Sequence, residues 1–259
     1  MENQNKIFFQ VEAATNVGKR KNNQDVFLLN GTLPTSEEIN DQQISLLHNN
    51  VNVLAVFDGM GGMPGAGDEA ALLCAKQFNK VFSENRFEGI EQMKTLALTA
   101  LDQSHSIVEE ALWGNGGTTA TVLLTYGEDY ILLNVGDSPA FHIDTNGNIT
   151  EISHRQNMAQ YYKDKNEPYT EADASSLLFC VGLGWDAPST IAHVCEGKIS
   201  ENEIILLCSD GITNYYDDAL CDLAMDVKDI PLQEIVKKAI MLDYADNSTI
   251  ISCKRLSDK

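Results

Sequence analysis

Short apolar runs rich in β-branched residues, each bounded by Gly, Asp or Asn, constrain the fold of this chain more than any other feature. Runs of this length and composition are typical of β-strands. Two successive runs are joined only through Gly127-Glu128-Asp129, which predicts an antiparallel hairpin. The predicted strands are Val53–Phe57, Thr119–Thr125, Tyr130–Val135, Ile204–Cys208 and Thr249–Ser252.

Apolar residues recur at three- and four-residue spacing in long segments between these runs, which predicts amphipathic helices. The segments are Ala66–Val81, Gln92–Trp113 and Leu232–Leu242. A wide apolar face on such a helix indicates packing against a sheet. Because the strands follow one another in pairs instead of alternating with helices, we predict an α+β fold with antiparallel pairing.

The length of 259 residues allows one large domain or two small ones, and a hydrophobic fraction of 43% is enough for a sizeable core. No internal repeat, low-complexity tract or long linker divides the sequence, so we expect a single domain over residues 1–259. Two polar stretches, about 30–50 and about 153–180, are predicted to be an insertion loop and a flap-like region of that domain.

The charge excludes several classes of partner. The chain has 18 Lys and Arg against 38 Asp and Glu, a formal net charge of −20, which repels nucleic acid and anionic membranes. No apolar run approaches the ~20 residues that span a bilayer, and the polar start is unlike a secretory signal. The six cysteines form no C-x-x-C pair, which argues against a zinc site and fits reduced thiols in a cytoplasmic protein.

Five aspartates stand at the ends of apolar, strand-like runs. Taken singly, each is an ordinary turn-forming residue. Carboxylates at the ends of neighbouring strands would nevertheless converge on one edge of a sheet, where they repel one another. Divalent cations remove that repulsion, and a ligand set of oxygens alone favours Mg²⁺ or Mn²⁺. The five residues are Asp25, Asp58, Asp137, Asp210 and Asp246.

Six short motifs, in order along almost the whole chain, resemble those of the metal-dependent serine/threonine protein phosphatases of the type 2C class, especially the bacterial branch. Arg20–Asp25 looks like R-x-x-N-E-D, and Asp58–Gly62 is the same as D-G-M-G-G. The remaining four are Gly117–Thr119 for G-T-T, Asn134–Ser138 for N-V-G-D-S, Ser209–Gly211 for S-D-G and Asp246–Thr249 for D-N-x-T.

The resemblance implies a role for each matched residue around two Mn²⁺ or Mg²⁺ ions. Asp58 would bridge the two ions, and Gly59, which has no Cβ, would offer its carbonyl to one of them. Asp210 and Asp246 would complete the ligands of the other ion.

The remaining matched residues would act around that pair of ions. Asp25 would hold metal-bound water, and Asp137 would bind a possible third ion together with Asp210. Arg20 would hold the substrate phosphate, because a guanidinium matches two phosphate oxygens. Asp58, Asp210 and Arg20 are thus the expected catalytic set.

The fold that the resemblance implies is two stacked antiparallel sheets with helices outside each, an α/β/β/α sandwich with the metals at one end. The implied activity is hydrolysis of phosphoserine and phosphothreonine in proteins by a water molecule activated between the two ions. The partners would be phosphorylated proteins and, indirectly, a protein kinase. We expect a monomer.

Several positions depart from the family pattern. Gln24 replaces the usual Glu, Met63 a common His, and Pro139 the usual Arg. Arg155-Gln156-Asn157 stands where Asp-His-Ser is expected, and Phe179–Gly184 resembles L-T-R-A-L-G only loosely. We expect Gln24 to weaken metal binding without loss of the site. We expect the last three departures, at Pro139, 155–157 and 179–184, to affect substrate preference and the third ion more than the two-ion centre.

Two other functions remain open. The departures could mark a catalytically weakened binding or regulatory module that keeps the fold, although such a module has no need of clustered carboxylates. A phosphatase of small phosphorylated metabolites is the other, but only four arginines are present to anchor a polyanion. A nucleotide P-loop is excluded, because no G-K-[ST] follows the glycine-rich stretch at 59–67.

Overall fold

A computed structural model describes residues 7–34, 41–48, 50–61, 66–184, 186–216 and 219–257. The strands in these ranges are β1 (Phe9–Asn16), β2 (Asp25–Leu29), β3 (Asp41–His48), β4 (Val51–Gly61), β5 (Gly116–Thr118), β6 (Ala120–Tyr126), β7 (Asp129–Val135), β8 (Ala140–Ile143), β9 (Ile149–Glu151), β10 (His193–Lys198), β11 (Ile204–Cys208) and β12 (Ser248–Arg255). The helices are α1 (Ala66–Glu84), α2 (Ile90–Leu112), α3 (Met158–Asp164), α4 (Glu171–Ala174), α5 (Pro188–Ile191), α6 (Asp210–Tyr216), α7 (Leu220–Asp229) and α8 (Leu232–Ala239).

The strands form two sheets in which every pairing is antiparallel. One sheet has the order β3-β1-β12-β11-β8-β9, and the other has the order β10-β7-β6-β4-β2, with β5 paired to the end of β4. The hairpin predicted at residues 127–129 joins β6 and β7, with Tyr126 opposite Asp129.

Strand β4 shows why the two sheets stack. Its Leu54 and Val56 belong to the core between the sheets, whereas Ala55 and Phe57 belong to the core under α1 and α2. A strand buried on both faces has a continuous apolar run instead of a polar–apolar alternation. A third cluster packs α6, α7 and α8 on the outer face of the other sheet. The predicted α/β/β/α sandwich is therefore confirmed.

The predicted elements are all present, although several begin or end at other residues: α1 extends to Glu84, whereas α8 ends at Ala239, three residues before the predicted end. The run Ile204–Cys208 is strand β11 without change, and Val53–Phe57 is the centre of β4. The three predicted helices correspond to α1, α2 and α8. None of the described helices is apolar over the length that a bilayer crossing requires.

The expectation of a loop over residues 30–50 is wrong for residues 41–48, which form the edge strand β3. Ile44 and Leu46 of β3 pack on the core between the sheets, and Leu47 points outward with 66% of its surface exposed. This exposed leucine breaks the polar–apolar alternation that would have revealed the strand. Residues 35–40 and 49 lie outside the described part of the chain.

The sandwich brings the ends of several strands to one edge. In antiparallel sheets the end of one strand lies beside the start of its neighbour. Asp25, which begins β2, is directly opposite Asp58 near the end of β4. Asp210 follows the end of β11, and Asp246 precedes the start of β12, which pairs with β11. Asp137 follows the end of β7.

Candidate functional site

A pocket of about 300 Å³ opens at this edge of the sandwich, and four of the five predicted aspartates line it. The fifth, Asp25, is buried beneath the pocket, with only 1% of its surface exposed. The structure therefore brings the candidate residues together. The lining residues are Arg20, Gln24, Asp58, Gly59, Met60, Gly61, Thr119, Asp137, Ser175, Leu177, Asp210, Asp246 and Asn247.

The backbone of Asp58 is fixed by two threonines of the predicted G-T-T motif. The Asp58 amide donates to Thr119 Oγ1 at 3.0 Å, and the Asp58 carbonyl accepts from Thr118 Oγ1 at 3.0 Å and from the Thr119 amide at 2.9 Å. The Thr119 hydroxyl also shares a 2.7 Å hydrogen bond with that of Ser138, next to Asp137. The motif was visible in the sequence, but its role in holding Asp58 was not.

Gly59 is required by close packing. A Cβ at this position would lie 2.1 Å from the carbonyl oxygen of Gly67, in the first turn of α1. The Gly59 amide donates to the carbonyl of Gln24 at 3.1 Å. The end of β4 therefore packs against α1 and is hydrogen-bonded to the residue that precedes β2. The Gln24 side chain packs against Gly67 and lines the pocket. Met63 lies outside the described residues.

Asp25 is held from the opposite sheet. The Ser209 hydroxyl donates to Asp25 Oδ2 at 2.7 Å and accepts from the Thr249 amide at 2.9 Å. The other oxygen of this carboxylate, Oδ1, is buried and has no hydrogen-bond partner in the part of the chain that the structure describes. A buried carboxylate oxygen without a partner is costly, and it indicates a missing cation or proton.

Asn247 connects the Arg20 loop to Asp246. Its side-chain NH₂ donates to the carbonyls of Val17, at 2.8 Å, and Asn22, at 3.0 Å, while its Oδ1 accepts from the Gln24 amide at 2.9 Å. The residue is only 4% exposed. Sequence reasoning assigned no role to Asn247, because its partners lie more than 220 positions away.

Asp137 lines the pocket, but its partners differ from those that hold Asp25 and Asp58. Burial raises the pKa of its carboxyl, while a hydrogen bond from Asn157 and the positive charge of Arg155 oppose that rise. Asn157 also donates to the Ala174 carbonyl at 3.0 Å and caps α3 through the Gln160 amide at 2.9 Å. Asp137 is thus tied to the flap-like segment, which contributes Ser175 and Leu177 to the pocket wall.

The other four carboxylates, Asp25, Asp58, Asp210 and Asp246, are called the central carboxylates below. Burial, followed by the repulsion of neighbouring carboxylates, holds the pKa of Asp58 well above its usual range. The same causes raise the pKa of Asp210 to about 7, and burial raises that of Asp25 to about 6. Carboxyls in this state favour protons or cations over an empty site.

Arg20 is the cation nearest to this cluster. Its guanidinium donates to Asp246 Oδ2 at 2.5 Å, and its side chain is 59% exposed at the mouth of the pocket. The hydrogen bond with Asp246, and then the charge of that carboxylate, raise the pKa of Arg20. The ion pair occupies one oxygen of a predicted metal ligand, so Arg20 and a cation compete for Asp246.

The donor set fits a hard divalent cation. Its members are carboxylates with a backbone carbonyl nearby, without thiolate or imidazole, as Mg²⁺ and Mn²⁺ prefer. The raised pKa values and the unpartnered oxygen of Asp25 fit a site that requires positive charge. Within the described ranges, no three His, Cys, Asp or Glu side chains are already arranged as a closed metal-binding group.

Two of the departures from the family pattern, Pro139 and the segment 155–157, lie near Asp137, and a third contacts Thr118. Pro139 offers only its carbonyl, which accepts from the Cys208 amide at 2.9 Å. Arg155 forms an ion pair with Glu151 at 3.0 Å. Val181, within the loosely matching segment at 179–184, exchanges two backbone hydrogen bonds with Thr118, at 2.9 and 2.8 Å.

The fold is similar to those of known bacterial phosphatases. A serine/threonine phosphatase of S. agalactiae superposes with a TM-score of 0.79 at 18% identity, covering 96% of this chain and 100% of that one. PppA of Pseudomonas aeruginosa, a regulatory component of T6SS, gives 0.77 at 21% identity, covering 97% and 100%. The catalytic domain of PstP in complex with two manganese ions gives 0.73 at 19% identity, again covering 97% and 100%.

The sequence also matches a family model described as protein phosphatase 2C over residues 39–234, which is more than half of the chain. The chain therefore belongs to the protein phosphatase 2C family.

Proposed function

We propose that this family member is an active, metal-dependent protein phosphatase that hydrolyses phosphoserine and phosphothreonine at the pocket described above. The observation that carries the proposal is the meeting of the central carboxylates at one sheet edge, where the pKa values of Asp25, Asp58 and Asp210 are raised. An acidic cluster of this kind destabilises the fold unless it binds positive charge.

The residues that would hold Mn²⁺ or Mg²⁺ are Asp58, the Gly59 carbonyl, Asp210 and Asp246, with Asp25 acting through water. Two bound divalent ions would supply charge stabilisation and a water of lowered pKa for the displacement at phosphorus. Asp137 would support a third ion with Asp210. One structural neighbour, PstP, carries two manganese ions, which supports the choice of metal.

Arg20 would bind the substrate phosphate from the mouth of the pocket, because its guanidinium can engage two phosphate oxygens at once. In this role the Arg20 guanidinium would release the Asp246 carboxylate and bind the phosphate instead. Thr118 and Thr119 hold the Asp58 backbone, and Asn247 holds the Arg20 loop. The residues that would bind the metal ions and the residue that would bind the phosphate are thus both fixed.

A covalent enzyme intermediate on cysteine has no support. No cysteine lines the pocket. Burial raises the pKa of Cys74 to about 12 and that of Cys180 to about 11. Such buried thiols are poor nucleophiles because the thiolate is the reactive form. Water is therefore the nucleophile that we infer.

The test is hydrolysis of a phosphothreonine peptide with Mn²⁺, with and without chelator, by the wild type and by Asp58→Asn and Asp210→Asn. We expect both variants and chelation to remove activity. Asp229→Asn, an exposed change at the end of α7, is the matched control and should retain it. Activity that survives both substitutions in the pocket would refute the assignment.

A non-catalytic binding module is the second candidate, and the Arg20–Asp246 ion pair favours it because it occupies a ligand oxygen. Calorimetric titration with Mn²⁺ separates the two functions. The phosphatase should show saturable binding at or below about millimolar ion, whereas a decayed site should show none.

We infer phosphorylated proteins as substrates, a protein kinase as the opposing activity, and a monomeric, single-domain protein of the cytoplasm. The neighbour PppA is a regulatory component, which supports a role in signalling.

A further inference from the structure

Three consecutive cations, Lys19, Arg20 and Lys21, include the arginine that lines the mouth of the acidic pocket. They are the only run of three positive residues in a chain that carries a net charge of −20. All three are exposed. Arg20 lines the pocket, while Lys19 and Lys21 form no salt bridge with any residue that the structure describes. These three residues are called the basic rim.

The basic rim is held in place by its backbone. The Lys19 amide donates to the Ala245 carbonyl at 3.0 Å, and the Arg20 amide donates to the Val17 carbonyl at 3.3 Å. Gly18 has a φ of +62°, and a Cβ there would lie 2.2 Å from the Asp246 carbonyl oxygen. Together with the hydrogen bonds of Asn247, these contacts fix the loop beside Asp246.

We propose that Lys19 and Lys21 select substrate segments that carry a second negative charge beside the phosphorylated residue. This inference rests on the proposed function, in which Arg20 takes the phosphate. Each lysine is one residue from Arg20, about 3.8 Å away between Cα atoms. Its flexible stem can therefore follow a carboxylate or a second phosphate on the flanking residues of the substrate.

The acidic pocket gives these lysines their significance. Four aspartates line it and repel a further negative charge on a bound segment, so cations beside Arg20 would offset that repulsion. At 0.1 M salt the Debye length is about 10 Å. The rim therefore acts on the residues next to the phosphate, while the more distant surface charges are screened.

The experiment compares kcat/KM, with Mn²⁺, for four phosphothreonine peptides of one length. Their flanking residues are Ala, Glu, Lys, or a second phosphothreonine. We expect the wild type to favour the Glu and doubly phosphorylated peptides over the Ala peptide by about 3- to 10-fold, as two exposed charge pairs allow. The preference should fall towards unity in K19Q/K21Q and in 0.5 M salt.

The matched control is K76Q/K80Q, which removes the same charge from the exposed face of α1 and should keep the preference. A wild type that hydrolyses all four peptides equally, or prefers the Lys peptide, would overturn the inference about the basic rim and leave the proposed phosphatase activity standing. The same holds if K19Q/K21Q keeps the full preference. A wild type that hydrolyses none of the peptides would overturn the proposed function, and this inference with it.

Discussion

The two sides of the pocket are built differently. The central carboxylates are fixed by motif residues that lie in or directly beside paired strands, such as Thr119, Ser209 and Asn247. Asp137 instead depends on Asn157 and the short helices α3 and α4 of the flap-like segment. Pro139 and the segment 155–157, which depart from the family pattern, lie on this second side, whereas Gln24 and Val181 contact the first. We therefore expect the central carboxylates to set the chemistry and the Asp137 side to adjust it.

Among residues that are not predicted metal ligands, the largest effect is expected for Asn247→Ala, on the side of the central carboxylates. The change removes three hydrogen bonds of a buried side chain and releases the Arg20 loop. We expect kcat/KM for a phosphothreonine peptide to fall about 10- to 100-fold, in the range found for residues that support metal ligands. Asn146→Ala, in an exposed turn, is the control. Equal kinetics for the two variants would contradict a positioning role for Asn247.

Asp137→Asn should have a smaller effect than Asp58→Asn. The substitution leaves the central carboxylates and Arg20 in place, so we expect a loss of about 10-fold in kcat, corresponding to about 1.4 kcal/mol. Asp58→Asn removes a contribution of several kcal/mol and should lower kcat by about 10³-fold or more. Steady-state kinetics at saturating Mn²⁺ would measure both. If Asp137→Asn were as severe as Asp58→Asn, the two sides would not differ in the way proposed.

The metal-free protein should lose stability as the pH rises from about 4 to 7. The pKa of Asp25 is raised to about 6 and that of Asp210 to about 7, from ordinary values of 3.8. At a pH between the ordinary pKa and the raised pKa of each group, the folded state binds more protons than the unfolded state. The free energy of unfolding therefore falls by up to about 1.4 kcal/mol per pH unit for each group.

Urea unfolding in chelator at several pH values would measure this slope, and saturating Mn²⁺ should remove it. Asp210→Asn should give a shallower slope than the wild type, because one of the buried carboxyls with a raised pKa no longer titrates. A metal-free stability that rises with pH over this range would show that the cluster is not strained by its own charge.

Asn157→Ala should have the smallest effect. The variant loses the cap of α3 and the hydrogen bond to Ala174, which together contribute about 1–2 kcal/mol. We expect the protection of amides in 158–176 from hydrogen exchange to fall, with kcat/KM reduced only a few-fold. Exchange that rises equally in β4 and β6 would indicate general destabilisation instead of a loosened Asp137 side.

The central strands and long helices could be predicted because burial leaves a direct mark on composition. Strand β4 is apolar on both faces, and α2 has a continuous apolar face. Strands β1 and β10 were not predicted: β1 includes Glu12 and Asn16, and β10 is an edge strand with Glu196 and Gly197. Their positions depend on pairing with distant strands, which no local pattern records.

The candidate site was found from the sequence only in part. The five aspartates stand at strand ends, so their meeting at one edge follows from antiparallel pairing. The supporting hydrogen bonds could not be predicted, because they join residues far apart in sequence. Ser209 and Asp25 are 184 positions apart, and Asn247 and Val17 are 230 apart. The metal roles of the aspartates remain predictions.

The pairing of β1 with β12 has a consequence for biosynthesis. Thr15 and Thr249 share a hydroxyl hydrogen bond at 2.7 Å, and the loop that carries Arg20 is held by Asn247. Until β12 has been synthesised and paired with β1, the Arg20 loop lacks this anchor, so the pocket is completed late in the synthesis of residues 1–259. Proteolytic removal of β12 would therefore open the pocket as well as the sheet.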